Sequence, residues 1–412
     1  MLGFLRELVQ LWRRQKRNWQ LVVTHQVVHR FLIQLTEQYT TIFIRMLGAS
    51  PVQLGWARSA AGISGTLISL PLGIVQDRYS LRKIYLTGIS LWLLVPLFYG
   101  VAPSWEFVIP GVFLAGLAQR LGSCAVICDV SLKNRDRATA RSLCEGVGAF
   151  PTLLAPLLGA GLVTMLGGIT LDGIRPLFWL QFVARALLFT YMLTQLTEVV
   201  REHSLRPGKV RLLGDFRTLF REGRGVVQCL LFLSLSFIGK TLILTFMYPI
   251  AYEVKGAGAF AIGGITVAIT LAEALFAAVF GRMADRIGRK KTYYILAPFI
   301  LAGTFLFAWA PSPPYLFLAG FFLGFRVIAE VLLSALPVEL VPARYIGRWR
   351  GLIGLCTGLV GIPAPILGGY LWEWVGPEYI FVAVGLIDVL VVLPLIRSLP
   401  ETADLADDVD SV

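Results

Sequence analysis

Gly281-Arg282-Met283-Ala284-Asp285-Arg286-Ile287-Gly288-Arg289-Lys290-Lys291 is a short, strongly basic stretch between two long apolar runs. An earlier stretch, Gly73-Ile74-Val75-Gln76-Asp77-Arg78-Tyr79-Ser80-Leu81-Arg82-Lys83, repeats its spacing of Gly, Asp, Arg and Lys. The two Asp residues stand 285 − 77 = 208 positions apart in a chain of 412 residues. One basic turn would mark only a solvated loop. Two copies at half-chain spacing, each between runs long enough to cross a bilayer, divide the chain into two similar halves.

The composition sets the class. Hydrophobic residues make up 56%, charged residues 15%, and the mean hydropathy is +0.72. A soluble domain carries about 25% charged residues, and a helix crossing a ~30 Å hydrocarbon core needs about 20 apolar residues. The chain reads as a polytopic, all-α membrane protein. Its net charge of +12 does not point to nucleic acid, because the basic residues lie in short loops and not on one face of a soluble fold. Cys124, Cys128, Cys144, Cys229 and Cys356 sit in or beside apolar runs, with no His or further Cys at zinc spacing. They read as buried thiols, and neither a metal nor a cofactor is expected.

Residues 1–20 form an amphipathic segment with Leu5, Leu8, Val9 and Trp12 against Arg6, Arg13, Arg14, Lys16 and Arg17, as expected of a helix on the cytoplasmic membrane surface. Twelve apolar windows come next, at 22–46, 52–75, 84–101, 107–130, 143–166 and 174–196, then 226–251, 259–284, 293–309, 315–340, 352–374 and 379–396. Alternate connections hold the positive charge, including Lys133, Arg135, Arg137 and Arg141 in one and Arg344, Arg348 and Arg350 in another. This bias places both termini in the cytoplasm of a multi-pass protein of the cytoplasmic membrane. Residues 199–225 are the long polar connection, a linker between six-helix halves at 21–198 and 226–398, and residues 399–412 form an acidic tail.

Both basic stretches resemble the G-x-x-x-D-R-x-G-R-[KR] signature of the major facilitator superfamily, which joins the second and third helices of each half. The later copy follows it closely. The earlier one has Ser80 for the inner Gly and Leu81 for the first Arg. Ala155-Pro156-Leu157-Leu158-Gly159-Ala160 in the fifth window also resembles Ala364-Pro365-Ile366-Leu367-Gly368-Gly369 in the eleventh, offset by 365 − 156 = 209. The resemblance implies twelve transmembrane helices in two pseudo-symmetric halves that alternate access to a central site. It implies a cytoplasmic gate in which Asp77 rests against the eleventh helix and Asp285 against the fifth. Asp129 would pair with Arg78 or Arg82, and Glu339 with Arg286 or Arg289. Gly73, Gly281 and Gly288 would shape the turns. Pro156, Gly159, Pro365, Gly368 and Gly369 would allow bending and close packing. An antiporter pattern, G-P-x-x-G-G, is only partly kept in the fifth window.

Ionisable residues near the bilayer centre are costly, so each is a candidate for function. Gln26, Arg30, Gln34, Glu37 and Thr41 form one polar stripe on the first window. Arg120, Lys240, and the i, i+4 neighbours Arg326 and Glu330 lie in the fourth, seventh and tenth windows. By the resemblance, these four helices line the cavity. Glu273 shares a face with Thr266 and Thr270 in the eighth. Arg185 and Asp388, on helices that are peripheral by the resemblance, are assigned to structural pairing or contact between copies. His25 and His29 are assigned to hydrogen bonding near the cytoplasmic end.

Four cations against two acids in the cavity helices give 4 − 2 = +2, which favours an anionic substrate. Glu37, Glu330 and Glu273 are the proton-site candidates. The expected protein is a monomeric secondary transporter that exports a drug or metabolite in exchange for protons. The alternatives are proton-coupled uptake of an organic anion, and a non-transporting scaffold or receptor. No P-loop supports ATP-driven transport, and no nucleophile, metal set or other constellation supports an enzyme.

Overall fold

The computed structural model describes residues 17–122, 149–198, 225–334 and 346–399. Side chains at 70–78, 149–152, 346–348 and 350 are not part of that description. Every regular element described is helical. The first half contributes α1 (Arg17–Met46), α2 (Pro51–Arg78), α3 (Leu81–Val101), α4 (Val108–Leu121), α5 (Ala149–Met165) and α6 (Leu171–Gln195). The second contributes α7 (Val226–Pro249), α8 (Ala259–Ile287), α9 (Arg289–Ala308) and α10 (Pro313–Leu333). The eleventh span is broken into α11 (Ile346–Gly361) and α12 (Pro363–Trp374). The twelfth comprises α13 (Tyr379–Ile387), a π-helical turn (Asp388–Val392) and α14 (Leu393–Ser398). A helix therefore stands at each of the twelve apolar windows, and α1 begins at Arg17, upstream of residue 21.

The two basic turns lie at the same end of the helix bundle, here the basic end, but they turn differently. Gly288 links α8 to α9 at φ +96°, a conformation that a side chain would strain. Ser80 has φ −57° and caps α3, its hydroxyl accepting a hydrogen bond from the Lys83 N–H at 3.3 Å. The earlier stretch thus lacks the inner glycine because its turn needs no positive φ. The turns agree in a second device. Arg82 Nη2 donates to the Leu193 carbonyl at the end of α6 (3.0 Å), and Lys290 Nζ, 208 positions later, donates to the Arg397 and Leu399 carbonyls at the end of α14 (2.7 and 3.0 Å). Each cation satisfies carbonyls that a helix end leaves without an internal partner.

Two seams of the same construction join the halves. A Cβ on Gly55 of α2 would sit 2.4 Å from the Pro365 carbonyl oxygen of α12. A Cβ on Gly263 of α8 would sit 2.7 Å from that of Pro156 in α5. The glycines are offset by 263 − 55 = 208 and the prolines by 209, so the contact is repeated by the pseudo-symmetry. Gly369 is equally close, to Pro51 O at 2.5 Å, whereas Gly159 packs within its own half against Leu35 O and Gly368 against Leu242 and Phe246. The break between α11 and α12 is covered by Ser59, whose hydroxyl lies 2.5 Å from the Ile362 carbonyl.

The apolar core is continuous across both halves at the far end, where Tyr39, Phe43 and Phe178 join Phe246, Ile262 and Phe381. Towards the basic end it separates into two clusters. One, around Trp19, Tyr85 and Met192, belongs wholly to the first half. The other, around Phe232, Leu296 and Trp349, belongs wholly to the second. Among the described residues, the halves therefore share one core at the far end and form separate clusters at the basic end, while α2 and α11 still meet across the halves at Thr66 and Gly358.

Candidate functional site

A cavity of about 180 Å³ lies inside the second half, between the middle of the bundle and the basic end. Helical spacing aims its walls. Phe232, Ser236 and Lys240 succeed one another at i, i+4 and i+8 on α7, and Arg326, Glu330 and Leu333 share the facing stripe of α10. Tyr293 from α9, Thr357 from α11 and Asp388 from the π-helical turn complete it.

Two ion pairs cross this space. Lys240 Nζ meets Glu330 Oε2 at 2.5 Å, and both side chains are open to it, at 42% and 34% exposure. Arg326 is bound to Asp388 by both terminal nitrogens, Nη1 to Oδ1 at 3.4 Å and Nη2 to Oδ2, and both partners are buried. The i, i+4 pairing of Arg326 with Glu330 expected from spacing is therefore replaced by two pairings between helices. Each acid is held at hydrogen-bond distance by a cation on a facing helix. The Ser236 hydroxyl, one turn from Lys240, has no hydrogen-bond partner among the described residues. Its oxygen is buried at the cavity wall.

Asp388 stands in this cavity and not at the periphery, and its place there changes the charge count. Within the cavity, Lys240 and Arg326 are balanced by Glu330 and Asp388, 2 − 2 = 0. The excess of cations stays with the first half. There Glu37 has Arg58 of α2 as the charge that bears on it, and lies near the hydroxyl of Tyr248, which is 2.9 Å from that of Thr266. The charge of Arg30, in the other half, bears on Glu273. Gln34 is half-buried, Thr41 is buried with no hydrogen-bond partner for its hydroxyl among the described residues, and Arg120 stands exposed beside Gly65 of α2. Gln26 and Gln38, on the same helix, donate to the Gly122 and Pro156 carbonyls.

The remaining membrane charges are used within the halves. Arg185 lies over Trp92 and against His29 Nδ1 at 3.2 Å, while His25 Nδ1 meets the Tyr85 hydroxyl at 2.9 Å. These groups are buried. Arg185 therefore makes no contact between copies. Phe237 lines the cavity, Phe325 packs in an aromatic cluster with Phe276 and Phe299, and Trp309 is exposed at the far end.

Spacing gave no warning of the clasp at the far end. Arg45 binds Glu253 through Nε and Nη2 (2.9 and 2.7 Å) and lies over the Trp372 ring at 5.5 Å. Tyr39 donates to the Ala259 carbonyl, and Tyr252 to that of Ile169. At the basic end, Asp285 and Arg286 are exposed, a Cβ on Gly281 would meet nothing within 4 Å, and Arg289 Nη1 donates to the Leu332 carbonyl at the end of α10 (2.8 Å). Asp129 and Glu339 lie outside the described residues, as do the side chains of Gly73, Asp77 and Arg78.

The Major Facilitator Superfamily model matches residues 30–268 and 229–408. The chain belongs to that superfamily. No curated protein matches it in sequence. Solved superfamily structures share its fold. The nucleoside transporter NupG superposes with a TM-score of 0.73 at 16% identity, covering 93% of this chain and 99% of that one. A bacterial homologue of the human lysosomal transporter Spinster, inward-facing and unoccupied, gives 0.72 at 15% identity over 93% and 98%. The human organic anion transporter TETRAN gives 0.64 at 14% identity over 92% and 100%. As a member of the superfamily, the protein is a multi-pass membrane transporter that works by alternating access, and not an enzyme.

Proposed function

We propose that this superfamily member carries a small organic anion together with a proton, and that Lys240 and Glu330 couple the two. The observation that carries this reading is their ion pair, which is half-exposed in the cavity, whereas the second pair that lines it, Arg326–Asp388, is buried. A carboxylate entering the cavity competes with Glu330 for the Lys240 ammonium. Protonating Glu330 removes the competitor, so anion and proton load into the same state. The Ser236 hydroxyl supplies a second donor to the anion, and Phe232, Phe237 and Ile353 cover its apolar body.

Joint loading describes co-transport. Export by proton exchange requires solute and proton to displace one another, which this arrangement opposes. Glu37 and Glu273, on which the charges of Arg58 and Arg30 bear, are kept as further proton sites. The positive loops put the basic end in the cytoplasm, together with both termini, in the cytoplasmic membrane. Among the described residues, the joined far-end core and the separate basic-end clusters support a reading in which this state opens to the cytoplasm, and the exposure of Asp285 and Arg286 supports it as well. One chain supplies both halves and both seams, which suits a monomer.

The test uses the full chain in proteoliposomes with an imposed pH gradient and a panel of radiolabelled aromatic and aliphatic monocarboxylates. Expected is accumulation that tracks the proton gradient, lost in Lys240→Gln and uncoupled from the gradient in Glu330→Gln. Gradient-independent movement in the wild type, or none at all across the panel, would sink the reading.

A further inference from the structure

Asp388 has no role in the Lys240–Glu330 pair, yet it is 4% exposed and stands where the twelfth span widens into a π-helical turn. π-helical turns interrupt an α-helix at a cost and recur at functional sites. Here the turn opens on the one carboxylate that binds Arg326. The groups facing this point are Lys240 from α7, Tyr293 from α9 and Arg326 and Glu330 from α10, while α11 adds the uncharged Thr357. Arg326 has Asp388 on one side, and Glu330 is one helical turn away on its own helix.

We propose that Asp388 is a specificity-determining residue that limits the substrate to a single negative charge. The inference rests on the proposed transport of an organic anion. By occupying both terminal nitrogens of Arg326, Asp388 withdraws that guanidinium from the cavity. Lys240 is then the cation offered among the lining residues, and it is offered when Glu330 takes up a proton. The cavity changes from neutral to +1 on protonation and matches one carboxylate. With Asp388 neutralised, the freed Arg326 is within one turn of Glu330 and draws it off Lys240. Lys240 is then offered before any proton binds, with the cavity at +1, and protonating Glu330 raises it to +2, so it accepts a dicarboxylate and its affinity for a monocarboxylate varies less with pH. Asp388 acts through Arg326 and Glu330 and is a positioning residue.

The experiment measures equilibrium binding of benzoate and of phthalate to the purified full chain in detergent, from about pH 8 to about pH 5. In the wild type, benzoate binds more tightly as pH falls and is preferred to phthalate. In Asp388→Asn, the preference reverses by about fivefold or more, the change expected from redirecting one partly exposed ion pair, and the pH dependence of benzoate binding flattens. The double variant Arg326→Gln/Asp388→Asn removes the released cation with its partner, so the wild-type preference and pH slope return. That double variant also settles the matter if Asp388→Asn does not fold. A double variant that prefers phthalate, or an Asp388→Asn protein that keeps both preference and slope, overturns the proposal. Those failures leave gradient-driven transport by the wild type intact. A wild type that binds neither probe at any pH removes the anion reading itself, and the inference with it.

Discussion

Replacing Arg45 with Gln should open the far end. The side chain makes two charge-assisted hydrogen bonds to Glu253, at 2.9 and 2.7 Å, and its guanidinium faces Trp372 at 5.5 Å. Exposures of 18% and 26% leave the pair partly shielded. Coulomb attraction near 4 Å is about 4 kcal/mol in such surroundings, but desolvation and ordering of two side chains offset much of it. Hydrogen bonds to charged groups give about 1.5–3 kcal/mol net, and a partly exposed cation–π contact adds ~0.5–1 kcal/mol. Exposed pairs give less, ~0.2–1 kcal/mol. A net clasp of about 2 kcal/mol lies between these limits and corresponds to a roughly 30-fold change in the ratio of far-end-closed to far-end-open molecules. Spin labels at Met165 and Val375, exposed on opposite halves at this end, report that ratio as a distance distribution in a protein freed of its native cysteines. Expected in Arg45→Gln is a second, longer population that the charge exchange Arg45→Glu/Glu253→Arg suppresses. A distribution unchanged in both Arg45→Gln and Glu253→Gln would show that apolar packing alone closes this end.

Substituting Val for Gly55 or for Gly263 should lower the melting temperature of the purified protein to a similar extent, since each Cβ would fall within 2.7 Å of a proline carbonyl. Overpacking of this kind costs about 1–3 kcal/mol, and a large loss at one seam with none at the other would contradict their equivalence. Gly281→Ala meets open space and should melt like the wild type. Gly288→Ala should cost roughly 1 kcal/mol through its φ of +96°, whereas Ser80→Ala should cost ~1 kcal/mol through loss of a cap; equal tolerance of Gly at both positions would not fit two different turns. Asp388→Ala takes the two-pronged partner from a buried guanidinium and leaves it only Glu330 one turn away, at up to about 3–5 kcal/mol, while Glu330→Gln disturbs a half-exposed pair worth ~0–1 kcal/mol. Thermal melts should rank them in that order, and the reverse order would place the buried charge elsewhere.

The helices and the two-fold repeat were legible because they depend on one-dimensional quantities, apolar run length and a 208-residue offset. The seams were legible in part. Pro156, Pro365 and their glycines marked close packing, but their partners Gly263 and Gly55 are ordinary glycines until two helices meet. Asp388 was legible as a pairing residue, and its bond to Arg326 agrees, but its place in the cavity was missed because the resemblance set its span at the periphery. The Arg326–Glu330 spacing misled because i, i+4 proximity permits a contact without excluding a better partner on another helix. Arg45 and Glu253 lie 208 residues apart in opposite halves, at span ends where charges are commonplace, so nothing local marked them as a pair.

The polar inventory of α1 has a bearing on how the protein is made. Among the described residues, eight helical stretches are apolar and long enough to cross a membrane by composition, and Arg17–Met46 is not one of them. It carries His25, His29, Arg30 and Glu37, and a charged residue near the centre of a span costs about 2.5–3.5 kcal/mol on insertion. Its compensation comes from segments synthesised later. Gly122 accepts from Gln26, Gln181 donates to the Leu32 carbonyl, Arg185 meets His29, and Pro156 accepts from Gln38. This helix, made before the partners that compensate it, is thus poorly suited to partition into lipid unaided. Its residence in the bilayer should become secure only when α6 has emerged, so that the first six spans are inserted as a cooperative unit and not one by one.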